Sequence, residues 1–281
     1  MLRLGATETT LLFFYFLDNY ENFYHGVELL PDKLKYVDSQ KYFINWLYST
    51  SGFYDKEING SYFDFDGDYV LKSSVYNEYF SKILSIIKDS NSPIILVFHD
   101  FHESLLDFKT KFLEYIDFNN KIKKYENVLQ FMENKNILII NNLGSLMKNQ
   151  FESGNIDKIC NEFPKNVKSI EYFENGYSFL NSGPDSSLLE TAKNIIEKIK
   201  DLNFDGAIIS AGAYSCLLAD DINKKLEKET FVMGGVLPLY FGISTKRITM
   251  YSNEFVNEYF INVPDSMKPL NYEKIEDGCY W

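Results

Sequence analysis

Tryptophan is scarce in this chain, with two residues in 281, and cysteine and histidine are nearly as rare, with three of each. Cys160, Cys216 and Cys279 form no CxxC or Cys/His metal spacing. Their odd number and wide separation argue against a disulfide framework and fit free thiols in a reducing compartment. Basic charge is also short: 28 Lys and Arg stand against 40 Asp and Glu, a net charge of -12. A duplex nucleic acid needs a basic footprint on its partner. Lys121-Ile122-Lys123-Lys124 is the only basic stretch and reads as a solvated helix face, so nucleic acid is disfavoured. A small anionic ligand stays open, because a few backbone N–H groups can hold one. No apolar run reaches the ~18 residues of a spanning helix. Leu11 to Leu17 (LLFFYFL) resembles a signal peptide only faintly: Glu8 sits at its boundary and no small-x-small cleavage site follows. The expectation is a soluble, cytoplasmic protein with no membrane span. Missing too are a GxGxxG fingerprint, a GxSxG elbow, internal repeats and Ser/Gly/Pro linkers.

Abundance lies in the aromatics, 21 Tyr and 24 Phe, within a chain that is 45% hydrophobic. A sizeable core is therefore possible. Tyr and Phe share AT-rich codons with Asn, Ile and Lys, so part of the bias is genomic. Leu2 to Gly5 reads as a short strand, and Thr7 to Asn19 as a buried helix. Residues 20–75 are irregular, with turn signals at Pro31-Asp32, Ser51-Gly52, Asn59-Gly60 and Asp66-Gly67. From residue 76 the pattern sharpens. Helices are expected over Tyr76 to Ser90, much of 105–132, Ser145 to Phe151, Asp185 to Leu202 with Asp185 as N-cap, and Ala213 to Leu226. Strands are expected over Pro93 to Phe98, Asn136 to Ile140, Val167 to Phe173, Ala207 to Ser210 and Thr230 to Met233. Strand and helix thus alternate from 93 to 235. That order predicts a single α/β domain of Rossmann-like architecture: a mostly parallel sheet with helices on both faces, and residues 1–92 as an N-terminal elaboration.

Ligands of open parallel sheets bind outside the carboxyl ends of the strands. After the first strand of the 93–281 core come His99-Asp100-Phe101-His102-Glu103. They suit a metal or acid/base site, or cap the next helix. After the next come Asn141, Asn142, Leu143, Gly144 and Ser145, which bind a sugar or phosphate or cap a helix. Ser210-Ala211-Gly212-Ala213-Tyr214 follow another strand. Here the N–H groups of 212–215 make an anion cradle, or the segment is a structural corner. Tyr214, Leu218, Ile222 and Leu226 form the apolar stripe of the ensuing helix. Gly234-Gly235 follow the last strand, as a ligand approach or as packing. Asp64 to Asp68 (DFDGD) reads as a solvated turn or as a metal loop that lacks the calcium pattern.

The blocks "FDGAIISAGAYSCLLADDI", "FVMGGVLPLYFGI" and "EDGCYW" together resemble a family related to the GT-D-type glycosyltransferases. The family's pattern is strand-S-x-G-A-Y-helix, strand-G-G-x5-F-G-I, and a tail with N-E-Y and G-C-Y-W. Here those residues are Ser210, Gly212, Ala213 and Tyr214; Gly234, Gly235, Phe241, Gly242 and Ile243; and Asn257, Glu258, Tyr259 and Gly278 to Trp281. A middle block matches through Ser145, Gln150, Ser153 and Gly154, and the likeness covers residues 136–281. "RLGATE" (Arg3 to Glu8) is similar to the R-x-G-D-G-E segment of GT-D enzymes, through Arg3, Gly5 and Glu8. Ala6 stands where that segment has Asp, so one carboxylate of the metal pair is missing. The resemblance implies a GT-D-like fold and transfer from a nucleotide-diphosphate sugar to a glycan acceptor, in glycan or polysaccharide synthesis. It also implies a divalent cation, Mn or Mg, at Glu8. Catalysis falls to Glu8 and Arg3, nucleotide binding to Gly5, Ser210, Gly212, Ala213, Tyr214, Gly234 and Gly235, and substrate contacts to His99, Glu103, Asn141 and Ser145. The leaving diphosphate gains negative charge, which a cation, an Arg or a helix N-terminus stabilises. Two rivals stand beside it. One is a Rossmann-like binding or interaction protein without catalysis; the other is a hydrolase or metal enzyme built on His99, Asp100, His102 and Glu103. The terminal Cys-Tyr-Trp is no prenylation box, and Trp281 either packs on the body or lines a pocket.

Overall fold

A computed structural model describes residues 2–5, 7–8, 11–12, 15, 44, 47–49, 51–57, 73–89, 94–96, 126–246 and 256–281. The chain forms two compact, interleaved units: residues 1–115, 178–194 and 212–217 make one, and residues 116–177, 195–211 and 218–281 the other. Segments 178–194 and 212–217 thus fall in the first unit. Both segments are bound to residues 51–55 by main-chain hydrogen bonds: Ala213 N–H donates to Ser51 O (2.8 Å) and Leu188 N–H to Tyr54 O (3.0 Å).

The first unit pairs β1 (Leu2–Leu4) in parallel with β2 (Ile94–Leu96), Leu2 opposite Ile94. The strand expected at 93–98 is therefore present, but its partner is the chain's first strand. Helix α1 (Ser74–Asp89) starts at Ser73, whose Oγ accepts from Tyr76 N–H (3.1 Å) and donates to Asp55 Oδ2 (2.6 Å). That is the N-cap role for which Ser is favoured. Its buried residues, Tyr76, Tyr79, Phe80, Ile83, Leu84, Ile86 and Ile87, recur at helical spacing. Phe53 lies edge-on to Tyr48, Tyr76 and Tyr79, at centroid distances of 4.9, 6.5 and 5.2 Å. This aromatic cluster is the core that the abundance of Tyr and Phe supplies.

In the second unit α2 (Glu126–Met132) leads into a four-stranded sheet of β3 (Asn136–Ile140), β4 (Ser169–Phe173), β5 (Gly206–Ile209) and β6 (Glu229–Val232). The spatial order is β4-β3-β5-β6 and every ladder is parallel. Ile137, Leu138, Ile139 and Ile140 are each 0% exposed, so the central strand is covered on both faces. Burying each such side chain contributes about 1.5–3 kcal/mol. β4 is an edge strand and none of its residues is fully buried. The crossovers carry α3 (Gly144–Glu152) and α4 (Ile156–Ile159), then α5 (Leu188–Ile199), then α6 (Ser215–Leu226). This is the expected α/β fold, a parallel sheet flanked by helices.

Helix α5 begins three residues after its expected N-cap. Ser187 precedes it, and Glu190 N–H points to Ser187 Oγ at 3.4 Å. Asp185 instead accepts the Thr191 hydroxyl (2.5 Å). A short parallel pair, β7 (Ile243–Ser244) with β8 (Ile261–Asn262), closes the second unit. Gln150 of α3 holds this region by donating to Gly242 O (3.2 Å) and Tyr259 O (3.0 Å). Gly242 is left-handed (φ 69°), a conformation that L side chains rarely adopt, and a Cβ there would press on Ile159 and Gln150.

Candidate functional site at the carboxyl edge of the sheet

The chain runs from β3 out to β4 and then crosses back to β5 on the other side of β3. The topological switch point of the sheet therefore lies between β3 and β5, the position where open α/β sheets leave a crevice for ligands. Asn141 follows β3 and Ser210 follows β5. Buried Asn141 donates through Nδ2 to Ser210 O (2.9 Å) and accepts Leu143 N–H at Oδ1 (2.8 Å). The Ser210 hydroxyl donates to Gly234 O (3.0 Å), beyond the end of β6. Three strand ends are thus laced together by two side chains. Past them Gly235 is exposed, and among the described residues a Cβ on it would meet only the Tyr280 ring, at 3.9 Å.

On the β4 side, Glu174 Oε1 accepts Ser145 N–H (2.6 Å) in the first turn of α3. A carboxylate there satisfies an otherwise open donor and suits the positive helix end. Asn142 and Asn175 both donate through Nδ2 to Gly176 O, at 3.0 and 3.1 Å. Both Oδ1 atoms are shielded and take no hydrogen bond.

The first unit holds the other expected residues. Gly212 (φ 55°) opens a short 3-10 turn, Gly212–Tyr214, ahead of α6. A Cβ on Gly212 would collide with Ser51 O, which already accepts Ala213 N–H (2.8 Å). One amide of the anticipated anion cradle is therefore occupied by main chain. Tyr79 Oη donates to Ala213 O (3.1 Å). Burial holds that phenol well above its usual range, and the Glu8 carboxylate and the Cys216 thiol push it further. Tyr214 hydrogen-bonds Ser178 and Tyr54; burial raises both phenols. Tyr54 Oη in turn meets Thr191 Oγ1, which donates to Asp185, and Asp185 N–H returns to Tyr54 Oη (3.2 Å). Ser178 Oγ donates to Gly52 O (2.7 Å). The turn at 178–182 places Leu180 and Asn181 in the left-handed region, at φ 52° and 61°.

Glu8 is buried, 7% exposed, and its carboxylate lies against Gly5 where a Cβ would otherwise be. Arg3 sits in β1 opposite Ile95. Ala6, His99, Asp100, His102, Glu103 and Asp64 to Asp68 lie outside the described residues. The structure thus brings Asn141, Ser210 and Gly234 together, and separately sets Glu8 near Tyr79, which bonds Ala213. Sequence reasoning overlooked Glu174, Asn175, Tyr177, Ser51 and Tyr54. Glu174 and Asn175 directly follow a strand, the one signal that could have marked them.

A cation held by the GT-D pair of carboxylates does not fit these residues. Ala6 offers no oxygen ligand in its side chain, and the Glu8 carboxylate is folded onto Gly5. Among the described residues no three His, Cys, Asp or Glu side chains gather as a metal set. No helix among the described residues is long and apolar enough to cross a membrane. The chain matches no protein-family model, no curated protein and no solved structure.

Proposed function

We propose that the chain is a nucleotide-sugar-dependent glycosyltransferase acting in glycan synthesis, with its donor over the carboxyl ends of β3, β5 and β6. The observation that carries this reading is the switch point itself: Asn141 and Ser210 bracket it, and the exposed Gly235 leaves main chain open beside it. Backbone N–H groups at a glycine pair can approach a phosphate with no Cβ in the way. They can stabilise the negative charge that develops on the leaving diphosphate. Manganese is then expected to leave affinity unchanged, because Ala6 leaves Glu8 without the second carboxylate of the GT-D pair. The likeness of Ser210 to Tyr214 and of Gly234 to Ile243 to GT-D-related blocks supports the donor class.

Calorimetric titration with UDP- and GDP-sugars, with and without manganese, tests the proposal. One nucleotide class is expected to bind, and Gly235→Val, a site with space for a side chain, to weaken it. A folded protein that binds none of them overturns the reading. A second reading, a binding protein without catalysis, draws on Ala6 and on the Glu8 carboxylate laid against Gly5. It predicts binding with no turnover of the donor in the presence of any glycan acceptor.

A further inference from the structure

Three aromatic side chains cross the same edge of the sheet. Tyr177 follows β4, at one side, and Tyr280 reaches the turn after β6, at the other. Between them stands Trp281, whose Nε1 donates to Tyr177 Oη (3.0 Å). The Trp281 ring lies edge-on to Tyr177 (5.7 Å), Tyr272 (6.0 Å) and Tyr280 (5.9 Å). Tyr177 Oη is tied in turn to Met267 O (3.3 Å). Because the strand order is β4-β3-β5-β6, a line from Tyr177 to Gly235 passes over the ends of β3 and β5. The aromatic row therefore spans the switch point.

The tail is held in this place by unusual means. Lys246 donates its N–H to Trp281 O (3.3 Å) and its Nζ to Asp277 O (2.8 Å). Glu276, Asp277 and Gly278 are consecutively left-handed, at φ 47°, 52° and 69°. Two non-glycine residues in succession rarely adopt that backbone, and such strain gathers at functional sites. Trp281 is buried, whereas Tyr280 is partly open to solvent.

We propose that this row is a nucleoside subsite: the Tyr280 ring stacks the base of a nucleoside diphosphate. The inference rests on the donor reading above and adds the recognition of its nucleoside half. An aromatic face takes any base, so stacking contributes affinity more than it selects among bases. Trp281 supports Tyr280 edge-on and reports on it.

The test compares UDP with inorganic pyrophosphate, which lacks the nucleoside, on the full chain and on Tyr280→Leu and Tyr280→Phe. Tyr280→Leu is expected to weaken UDP about ten-fold and to leave pyrophosphate unchanged, while Tyr280→Phe keeps the original affinity. In a Trp46→Phe background, where Trp281 is the one remaining tryptophan, UDP should change the emission and pyrophosphate should not. Equal UDP affinity in Tyr280→Leu overturns the subsite and leaves the donor reading standing. Parallel loss of UDP and pyrophosphate also overturns it, since that marks a structural role. Failure of the unaltered protein to bind UDP or GDP overturns both.

Discussion

Gly212 illustrates how one position in the chain serves two demands. Its φ of 55° is costly for any residue with a Cβ, and a Cβ would press on Ser51 O. Gly212→Ala is therefore expected to lower stability by about 1–3 kcal/mol, read as a shift in the urea midpoint whether or not a nucleotide is present. A larger residue at this position reports on the corner rather than on ligand binding, which makes Gly235 the better probe of the site. Tyr54 is a second such position. Its hydroxyl joins Thr191, Asp185 and Tyr214 inside the first unit. Tyr54→Phe removes that hydroxyl and leaves buried partners unsatisfied, so a loss of about 1–3 kcal/mol is expected in the same measurement. Glu8 was visible in the sequence as the acidic end of R-x-G-x-x-E. Its folding back onto Gly5 was not, because a motif states which residues are near in sequence and not how a carboxylate is oriented.

Elements were legible where one physical signal sufficed. Continuous apolar runs such as Ile137 to Ile140 and Gly206 to Ile209 are strands covered on both faces, and both are buried throughout. The edge strand Ser169–Phe173 lacked such a run and was still recognised, with its start placed two residues early. Helix α5 started late because Ser187, not Asp185, precedes its first turn; several Ser and Asp residues in a row make the cap ambiguous. The pairing of β1 with β2, residues 2 and 94, was out of reach, since residues 20–75 between them carry no periodic pattern. So was the lacing of Asn141, Ser210 and Gly234, which depends on strand order. This lacing makes a test at the level of the sheet. Asn141→Ala removes the side-chain bond to Ser210 O that ties the end of β3 to the end of β5, and the local bond from Leu143 N–H, with an expected loss of about 1–3 kcal/mol. Thermal unfolding of the variant checks it, and the loss should persist with saturating nucleotide.

For the molecule as a whole, tyrosine dominates the response to alkali. Burial raises the phenols of Tyr54, Tyr79 and Tyr214 in the first unit and of Tyr172 and Tyr177 in the second above their ordinary value of 10.0. An unfolded chain releases these protons near pH 10, while the folded chain keeps them. The stabilisation is therefore complete below about pH 10 and is lost as pH rises beyond it. Urea midpoints should hold steady between neutral pH and about pH 9 and fall above about pH 10. The phenolate absorbance of these five tyrosines should appear together with unfolding rather than before it. The ladders also govern how the molecule comes into being. Every ladder among the described strands is parallel, and the contact of Asn141 with Ser210 closes over 69 residues. No two-residue hairpin seeds such a sheet, and pairing over long separations is slow. On the ribosome β3 emerges before either strand that will lie beside it, β4 and then β5. Its edge toward β5 and its Ile-rich face must wait in solution until Gly206–Ile209 has been made, which makes this nascent stretch the natural client of a holding chaperone.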